Sequence, residues 1–104
     1  MEKKHGPDYT PSRGVLRACS GIIESVDSSP YSEYMLLAES AVGRDWAPAA
    51  RAQLIEAIKL NLINRKEYSF DRLQRRYRLP CCQKTFSREC RLYVRILSGL
   101  CGFE

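Results

Sequence analysis

Histidine is almost absent from this chain of 104 residues, in which His5 is the only one. Nucleophilic catalysis by serine or cysteine usually needs a base beside the nucleophile, and His5 lies in a polar stretch near the start of the sequence. The chain also has no glycine-rich phosphate-binding loop and no pair of carboxylates at a suggestive spacing. We therefore expect a protein that is not an enzyme.

The cysteine pattern does not suit a metal site or a disulfide framework. Zinc sites use Cys pairs separated by two to four residues, but the only close pair, Cys81-Cys82, is directly adjacent. The cysteine count of five is odd, and the opening Met-Glu-Lys-Lys-His-Gly-Pro lacks the apolar core of a signal peptide. We predict a cytoplasmic protein with no metal, no cofactor and no small-molecule ligand. Three cysteines are predicted to pack as small apolar residues on helix faces: Cys19, Cys90 and Cys101.

Long apolar runs and alternating patterns are absent as well. No run approaches the 18 residues of a membrane-spanning helix, and no period-two alternation typical of a strand extends beyond four residues. Apolar residues recur instead at spacings of three and four, which is typical of amphipathic helices. The sequence predicts an all-α fold of about five helices in a single domain over residues 10–104, preceded by a flexible tail over 1–9.

Capping residues mark the first two helices, which form an N-terminal pair over residues 10–43. Thr10-Pro11 has the residue types favoured at a helix start, and an apolar pattern follows from Val15 to Val26. Ser29-Pro30 repeats that signal and opens a second helix, which we expect to extend to Val42. Gly43 stands where a C-terminal glycine belongs.

The last three helices, over residues 45–104, are predicted from the same signals. The third begins near Asp45 and ends near Asn64. Ser69 caps a short fourth helix over 70–77, and the fifth runs from Gln83 to Leu100. The apolar stripe of this fifth helix has five members: Phe86, Cys90, Tyr93, Leu97 and Leu100.

Charge is distributed unevenly along the chain. Residues 1–48 carry five basic and seven acidic residues, whereas residues 49–104 carry twelve basic and five acidic ones. In helical projection, four cations of the fifth helix lie opposite its apolar stripe, and three arginines of the fourth helix lie opposite Phe70, Leu73 and Tyr77. Like charges at this density repel one another, and a basic surface of this kind favours a polyanionic partner. The negative sum of the N-terminal half would keep that half away from DNA.

The segment from Ser69 to Arg91 resembles the helix-turn-helix family of DNA-binding proteins. Leu73 and Tyr77 occupy the apolar positions of the short helix, Leu79 is the anchor in the turn, and Thr85-Phe86 matches the small polar and apolar pair that opens the recognition helix. The segment departs from the family in three ways. Gln74 replaces a small residue, Arg78 replaces the usual glycine, and the turn is two residues longer than is common. More loosely, the chain resembles small regulators encoded by bacterial phages and mobile elements.

This resemblance implies sequence-specific binding of double-stranded DNA, with the last long helix in the major groove, and regulation of transcription. The N-terminal residues of such a helix lie nearest the base edges, and cations further along contact phosphates. The candidate base contacts are Gln83, Lys84, Ser87 and Arg88. The candidate phosphate contacts are Arg72, Arg75, Arg76, Arg78, Arg91 and Arg95.

Several alternatives remain open from the sequence. The basic face can instead dock an acidic partner protein or bind RNA. Gln83, Thr85 and Ser87 can simply bond the free N–H groups of a helix start, and the aromatic residues between Tyr68 and Tyr93 can stack on unpaired bases, although their helical spacing favours core packing. The first two helices can cover the C-terminal unit or form a homodimer.

The two adjacent cysteines suggest one further possibility. Cys81 or Cys82 lies near a helix start, between Arg78 and Lys84. This environment can lower the pKa of a thiol, which would make DNA binding sensitive to oxidation.

Overall fold

Five α-helices contain most of the residues that this computed structural model describes, which are 11–24 and 31–102. No β-strand occurs in those two ranges, so the prediction of an all-α fold is confirmed. The predicted tail over 1–9 and the predicted caps Thr10 and Ser29-Pro30 lie outside the described residues. In chain order the helices are α1 (Arg13–Glu24), α2 (Tyr31–Glu39), α3 (Pro48–Ile63), α4 (Phe70–Tyr77) and α5 (Gln83–Cys101).

Helix α1 begins at Arg13, two residues after the predicted first helical position at Pro11. The Oγ of the preceding Ser12 accepts a hydrogen bond of 3.2 Å from the backbone N–H of Val15 and so fixes this start. A serine in this position satisfies one of the N–H groups that have no partner inside the helix. The buried face of α1 carries Cys19, Ile22 and Ile23, and the helix packs mainly on α3 and also on α5. Helix α1 therefore covers the C-terminal helices, which is one of the two roles left open by the sequence.

The most extensive contact between two helices of the described structure is the one between α2 and α5. Met35 and Ala38 are buried in this contact. The neighbouring Leu36 and Leu37 point elsewhere and are 65% and 54% exposed. The homodimer through the N-terminal helices stays a prediction, and these two leucines are the apolar surface on which it would depend.

The connection between α2 and α3 differs from the prediction at both ends. Helix α2 ends at Glu39 rather than Val42, and α3 begins at Pro48 with Ala47 as its N-cap rather than near Asp45. The reason lies in a turn: Gly43 adopts a positive φ of 58°, and its carbonyl accepts a hydrogen bond of 3.0 Å from the N–H of Trp46. Helix α3 can begin only after this turn has closed.

Helix α4 has the predicted bounds, and Ser69 occupies its N-cap position without a capping hydrogen bond from its side chain. The link before α4 is stabilised by Asn61 of α3, whose Nδ2 donates to the carbonyl of Tyr68 at 2.8 Å. The helix ends at Arg78, which adopts the left-handed conformation with φ 54° and ψ 52°. Glycine is the usual residue at such a position.

Helix α5 lies against α1, α2 and α3 and supplies the largest share of the core. The predicted stripe is buried at Phe86, Cys90, Tyr93 and Leu97, but Leu100, in the last turn of α5, is 38% exposed. Although α5 has 19 residues, no helix of the described residues is both long and apolar enough to cross a membrane.

Candidate nucleic-acid interface

The first two turns of α5 present the predicted base-contacting residues to solvent. Gln83, Lys84 and Arg88 are exposed, and Ser87 is half-buried. Phe86, between them in sequence, is buried and fixes this orientation by stacking on Phe70 of α4 with ring centroids 5.5 Å apart. The packing of one aromatic residue therefore turns its polar neighbours outward.

No side-chain hydrogen bond of Gln83 or Ser87 is observed within the described part of the chain. The alternative that these residues bond the free N–H groups of the helix start is thus not used. Thr85 is different, because its hydroxyl lies 3.6 Å from the Sγ of Cys82, the N-cap residue of α5. Gln83 and Ser87 retain their donors and acceptors for a ligand.

The predicted phosphate-contacting residues divide into two groups by exposure. The four arginines of α4 and its C-cap are exposed, and the two in the middle of α5 are half-buried. A half-buried arginine packs its aliphatic stem on the protein while its guanidinium reaches water. The exposed group is Arg72, Arg75, Arg76 and Arg78, and the half-buried group is Arg91 and Arg95.

The arginines of α4 are held by weak contacts that leave most of their donors free. Arg72 Nη1 donates to the carbonyl of Glu67 and Arg75 Nε donates to the carbonyl of Asp71, both at 3.3 Å. The guanidinium carbon of Arg76 lies 5.5 Å from the centroid of the Tyr77 ring, a cation–π distance. These contacts orient the stems without neutralising the charges.

Within residues 11–24 and 31–102, the ion pairs lie away from this surface. Lys59 of α3 contacts Glu39 at 3.3 Å and Glu56 at 3.5 Å. None of the ten cations between Arg65 and Arg95 pairs with a carboxylate of the described residues. Unpaired cations at this density raise the free energy of the isolated protein and attract a polyanion.

Glu89 is the one carboxylate of α5, and the structure explains why it does not neutralise the basic surface. Its Oε1 accepts a hydrogen bond of 3.0 Å from the backbone N–H of Gly43. This bond joins α5 to the turn between α2 and α3. Glu89 thus stabilises the fold instead of pairing with the arginines of its own helix.

The two adjacent cysteines have opposite properties. The backbone N–H of Thr85, followed by its hydroxyl, lowers the pKa of the exposed Cys82 thiol, whereas burial raises the pKa of Cys81. The cause at Cys82 is therefore hydrogen bonding at the start of α5 rather than the charges of Arg78 and Lys84. Burial also raises the pKa values of Cys19 and Cys90 to about 12, in line with their predicted apolar role. Cys101, the third of that group, is only half-buried.

A cavity of about 330 Å³ opens where α1, α3, α4 and α5 meet. Phe70 and Phe86 contribute to its apolar wall, and Gln83, Arg65 and Arg91 to its polar part. Arg65 was not among the predicted site residues, because it follows α3 in a polar link and has no place in the pattern of α4 or α5. Its position beside α5 depends on how α3 packs.

In the described ranges, no group of three His, Cys, Asp or Glu side chains is arranged to hold a metal ion. The candidate site accordingly consists of exposed cations, amides and hydroxyls on α4 and α5. Groups of these kinds can bind anions and hydrogen-bonding edges. No known protein family, curated protein or solved structure matches this chain, so its function has to be inferred from its own geometry.

Proposed function

We propose that this protein binds double-stranded DNA through the outward faces of α4 and α5 and regulates transcription. The observation that carries the proposal is the set of exposed cations on these two helices, none of which pairs with a carboxylate of the described residues. The same helices bury Leu73 of α4 and five apolar residues of α5 in the core: Phe86, Cys90, Tyr93, Val94 and Leu97. The basic surface is therefore held on a packed scaffold.

The burial of three residues supports a helix-turn-helix arrangement of α4 and α5. Leu73 and Phe86 are buried in the two helices, and Leu79 is buried in the turn between them. Gln74 Nε2 donates to the carbonyl of Cys81 at 3.1 Å and so ties the first helix to the longer turn. This bond explains the amide side chain of Gln74, at a position where the helix-turn-helix family has a small residue.

In this arrangement α5 enters the major groove with its first turns toward the bases. Gln83 can bond the N6 and N7 groups of adenine, and Lys84 or Arg88 the O6 and N7 atoms of guanine. Each good bidentate contact contributes about 1–3 kcal/mol of discrimination against the wrong base. The six arginines predicted to contact phosphates hold the protein in register on the duplex without reading sequence.

The first test is the salt dependence of binding to generic duplex DNA. If six cations neutralise phosphates, the logarithm of the association constant falls against the logarithm of salt concentration with a slope near −5, from about −0.9 per contact. Arg88→Ala/Arg91→Ala should weaken binding through the loss of one base contact and one phosphate contact. The loss of the phosphate contact should bring the slope closer to zero by about 0.9. Fluorescence anisotropy at several salt concentrations measures both quantities.

Arg44→Ala is the matched control, because Arg44 is exposed in the turn between α2 and α3 and lies outside the proposed surface. This variant should keep the affinity and the slope of the wild type. Absence of salt-dependent binding of the wild type to duplex DNA would contradict the proposal. Tighter binding to RNA of the same sequence, or to an acidic protein, would also contradict it.

A further inference from the structure

A second concave surface adjoins the cavity beside α5. It lies between α1 and the C-terminal end of α3 and encloses about 510 Å³. Leu16, Asn61, Leu62 and Arg65 line both it and the cavity. The two surfaces are therefore adjacent, one beside α5 and the other between the end of α3 and α1. We call the second surface the α1–α3 groove.

Cations of one sign line the α1–α3 groove. Arg13 and Arg17 of α1 stand on one side, and Arg65 and Lys66 after α3 stand on the other. All four are exposed, none has a carboxylate partner among the described residues, and no described carboxylate lines the groove. Arg13 and Arg17 are four residues apart, so they share one face of the helix and repel each other.

The N-terminal half of the chain has a negative charge sum, although its helix α1 contributes two arginines to this groove. The only acidic residue of α1 is Glu24, at the opposite end of the helix from Arg13. The other described acidic residues of that half, Glu33, Glu39 and Asp45, belong to α2 and the turn that follows it. The charge sum over residues 1–48 therefore combines a basic helix, α1, with an acidic one, α2.

We infer that the phosphate backbone of bound DNA continues from α5 into the α1–α3 groove, where these four cations contact it. The inference rests on the proposed DNA binding and extends the interface to the N-terminal half of the chain. Arg13 and Arg17 are separated by a rise of about 6 Å along α1. Because phosphates of one strand recur about every 3.4 Å along the duplex axis, two cations at this separation can contact phosphates of the same strand.

Four further phosphate contacts would steepen the wild-type slope from near −5, the value for six contacts on α4 and α5, to about −9, at about 0.9 per contact. The test compares the salt slopes of two double variants with that of the wild type. Arg13→Ala/Arg17→Ala and Arg65→Ala/Lys66→Ala should each bring the slope closer to zero by about 1.8, at about 0.9 per lost contact. Arg13→Lys/Arg17→Lys keeps both charges and should retain the wild-type slope. Arg44→Ala is again the control, and thermal melting establishes that each variant is folded.

The outcomes separate this inference from the proposed function. Salt-dependent binding by the wild type together with unchanged slopes in both double alanine variants overturns the α1–α3 groove as a DNA contact and leaves α4 and α5 as the interface. If the double alanine variants lose binding to vesicles containing phosphatidylserine while their DNA slope is unchanged, the groove binds a lipid surface. That outcome also overturns the groove as a DNA contact. Absence of DNA binding by the wild type removes both proposals.

Discussion

At the scale of single residues, Tyr93 is a core side chain whose polar group is buried at a cost in stability. It is fully buried, and its hydroxyl has no hydrogen-bond partner among the described residues. A buried polar group without a partner costs about 1–3 kcal/mol. Burial, followed by the charge of Glu39, also raises the pKa of this phenol, so it stays neutral in the folded protein.

Tyr93→Phe should raise the free energy of unfolding by about 1 kcal/mol, because it removes the unsatisfied hydroxyl and keeps the ring. For a domain of this size that corresponds to an increase in Tm of about 4–8 °C. The gain should grow as the pH rises above about 10, where unfolded wild type ionises Tyr93 and the folded protein does not. Thermal denaturation at neutral and alkaline pH measures both effects.

Tyr34→Phe serves as the control, since Tyr34 is half-buried and its hydroxyl can reach water. Its stability should stay within about 0.5 kcal/mol of the wild type, as for most substitutions away from the core. A marked loss of stability in Tyr93→Phe would contradict the reading of Tyr93 as an unsatisfied group.

Arg78 is the other residue under strain, because it holds the left-handed conformation at the end of α4. That conformation costs a residue with a Cβ roughly 1–2 kcal/mol, and glycine avoids the cost. Arg78→Gly should therefore stabilise the fold by about 0.5–1 kcal/mol, after allowance for the greater freedom of glycine in the unfolded chain. It should also weaken DNA binding slightly, because one phosphate contact is lost. Urea denaturation gives the stability change.

Arg76→Gly is the matched control, two residues earlier and inside α4. Glycine in a helix interior is about 1 kcal/mol less favourable than alanine, so this variant should be destabilised. Equal destabilisation of both variants would show that the conformation of Arg78 carries no strain.

At the scale of helices, the sequence predicted α4 and α5 well and the α2–α3 connection poorly. The bounds of α4, the start of α5 and four of the five residues in the stripe of α5 follow from helical periodicity, which is a local property. The end of α2 depends on Arg51 of α3. Its Nε donates to the carbonyl of Val42 at 2.9 Å, and its Nη2 donates to those of Glu39 and Ser40 at 3.0 and 2.7 Å.

Arg51→Met should lower the free energy of unfolding by about 2–4 kcal/mol. Hydrogen bonds from a charged donor contribute about 1.5–3 kcal/mol each, and their sum is reduced here because the site is partly exposed. Methionine keeps the length of the stem but removes the donor to the carbonyls of Glu39, at the end of α2, and of Ser40 and Val42, which follow it. Chemical denaturation measures the loss, and Arg44→Met, on an exposed neighbour, should be nearly neutral. If Arg51→Met changes the free energy of unfolding by less than about 0.5 kcal/mol, the hydrogen bonds of Arg51 do not stabilise the end of α2.

Gly43 belongs to the same connection and has less freedom to vary than any position around it. Its φ is 58°, and a Cβ there would lie 2.8 Å from Leu54 Cδ2. The sequence predicted this glycine at the C-terminal end of α2, but α2 ends four residues earlier, at Glu39. Its role as a hydrogen-bond donor to Glu89 from across the fold had no local signal, because the two residues are 46 positions apart.

At the scale of the whole molecule, the position of the basic residues matters more than their number. The chain has a net charge of +5, a value compatible with many partners. The fold exposes most cations of α4 and α5. It brings Arg65 and Arg91 to one cavity and places Arg13 and Arg17 at the adjoining α1–α3 groove. A duplex bound to all of these elements would contact both halves of the chain.

The sequence by itself determined the all-α class, most helix bounds and the outward cations of α4 and α5, because each of these follows from spacing and capping within a few residues. Only the tertiary structure decided where α2 ends, which carboxylate is withdrawn from the basic surface, and which cations share one groove. Those features depend on side chains distant in sequence, such as Arg51 and Glu89, that meet when the helices pack. Pairwise contacts of that kind leave no periodic trace in the chain.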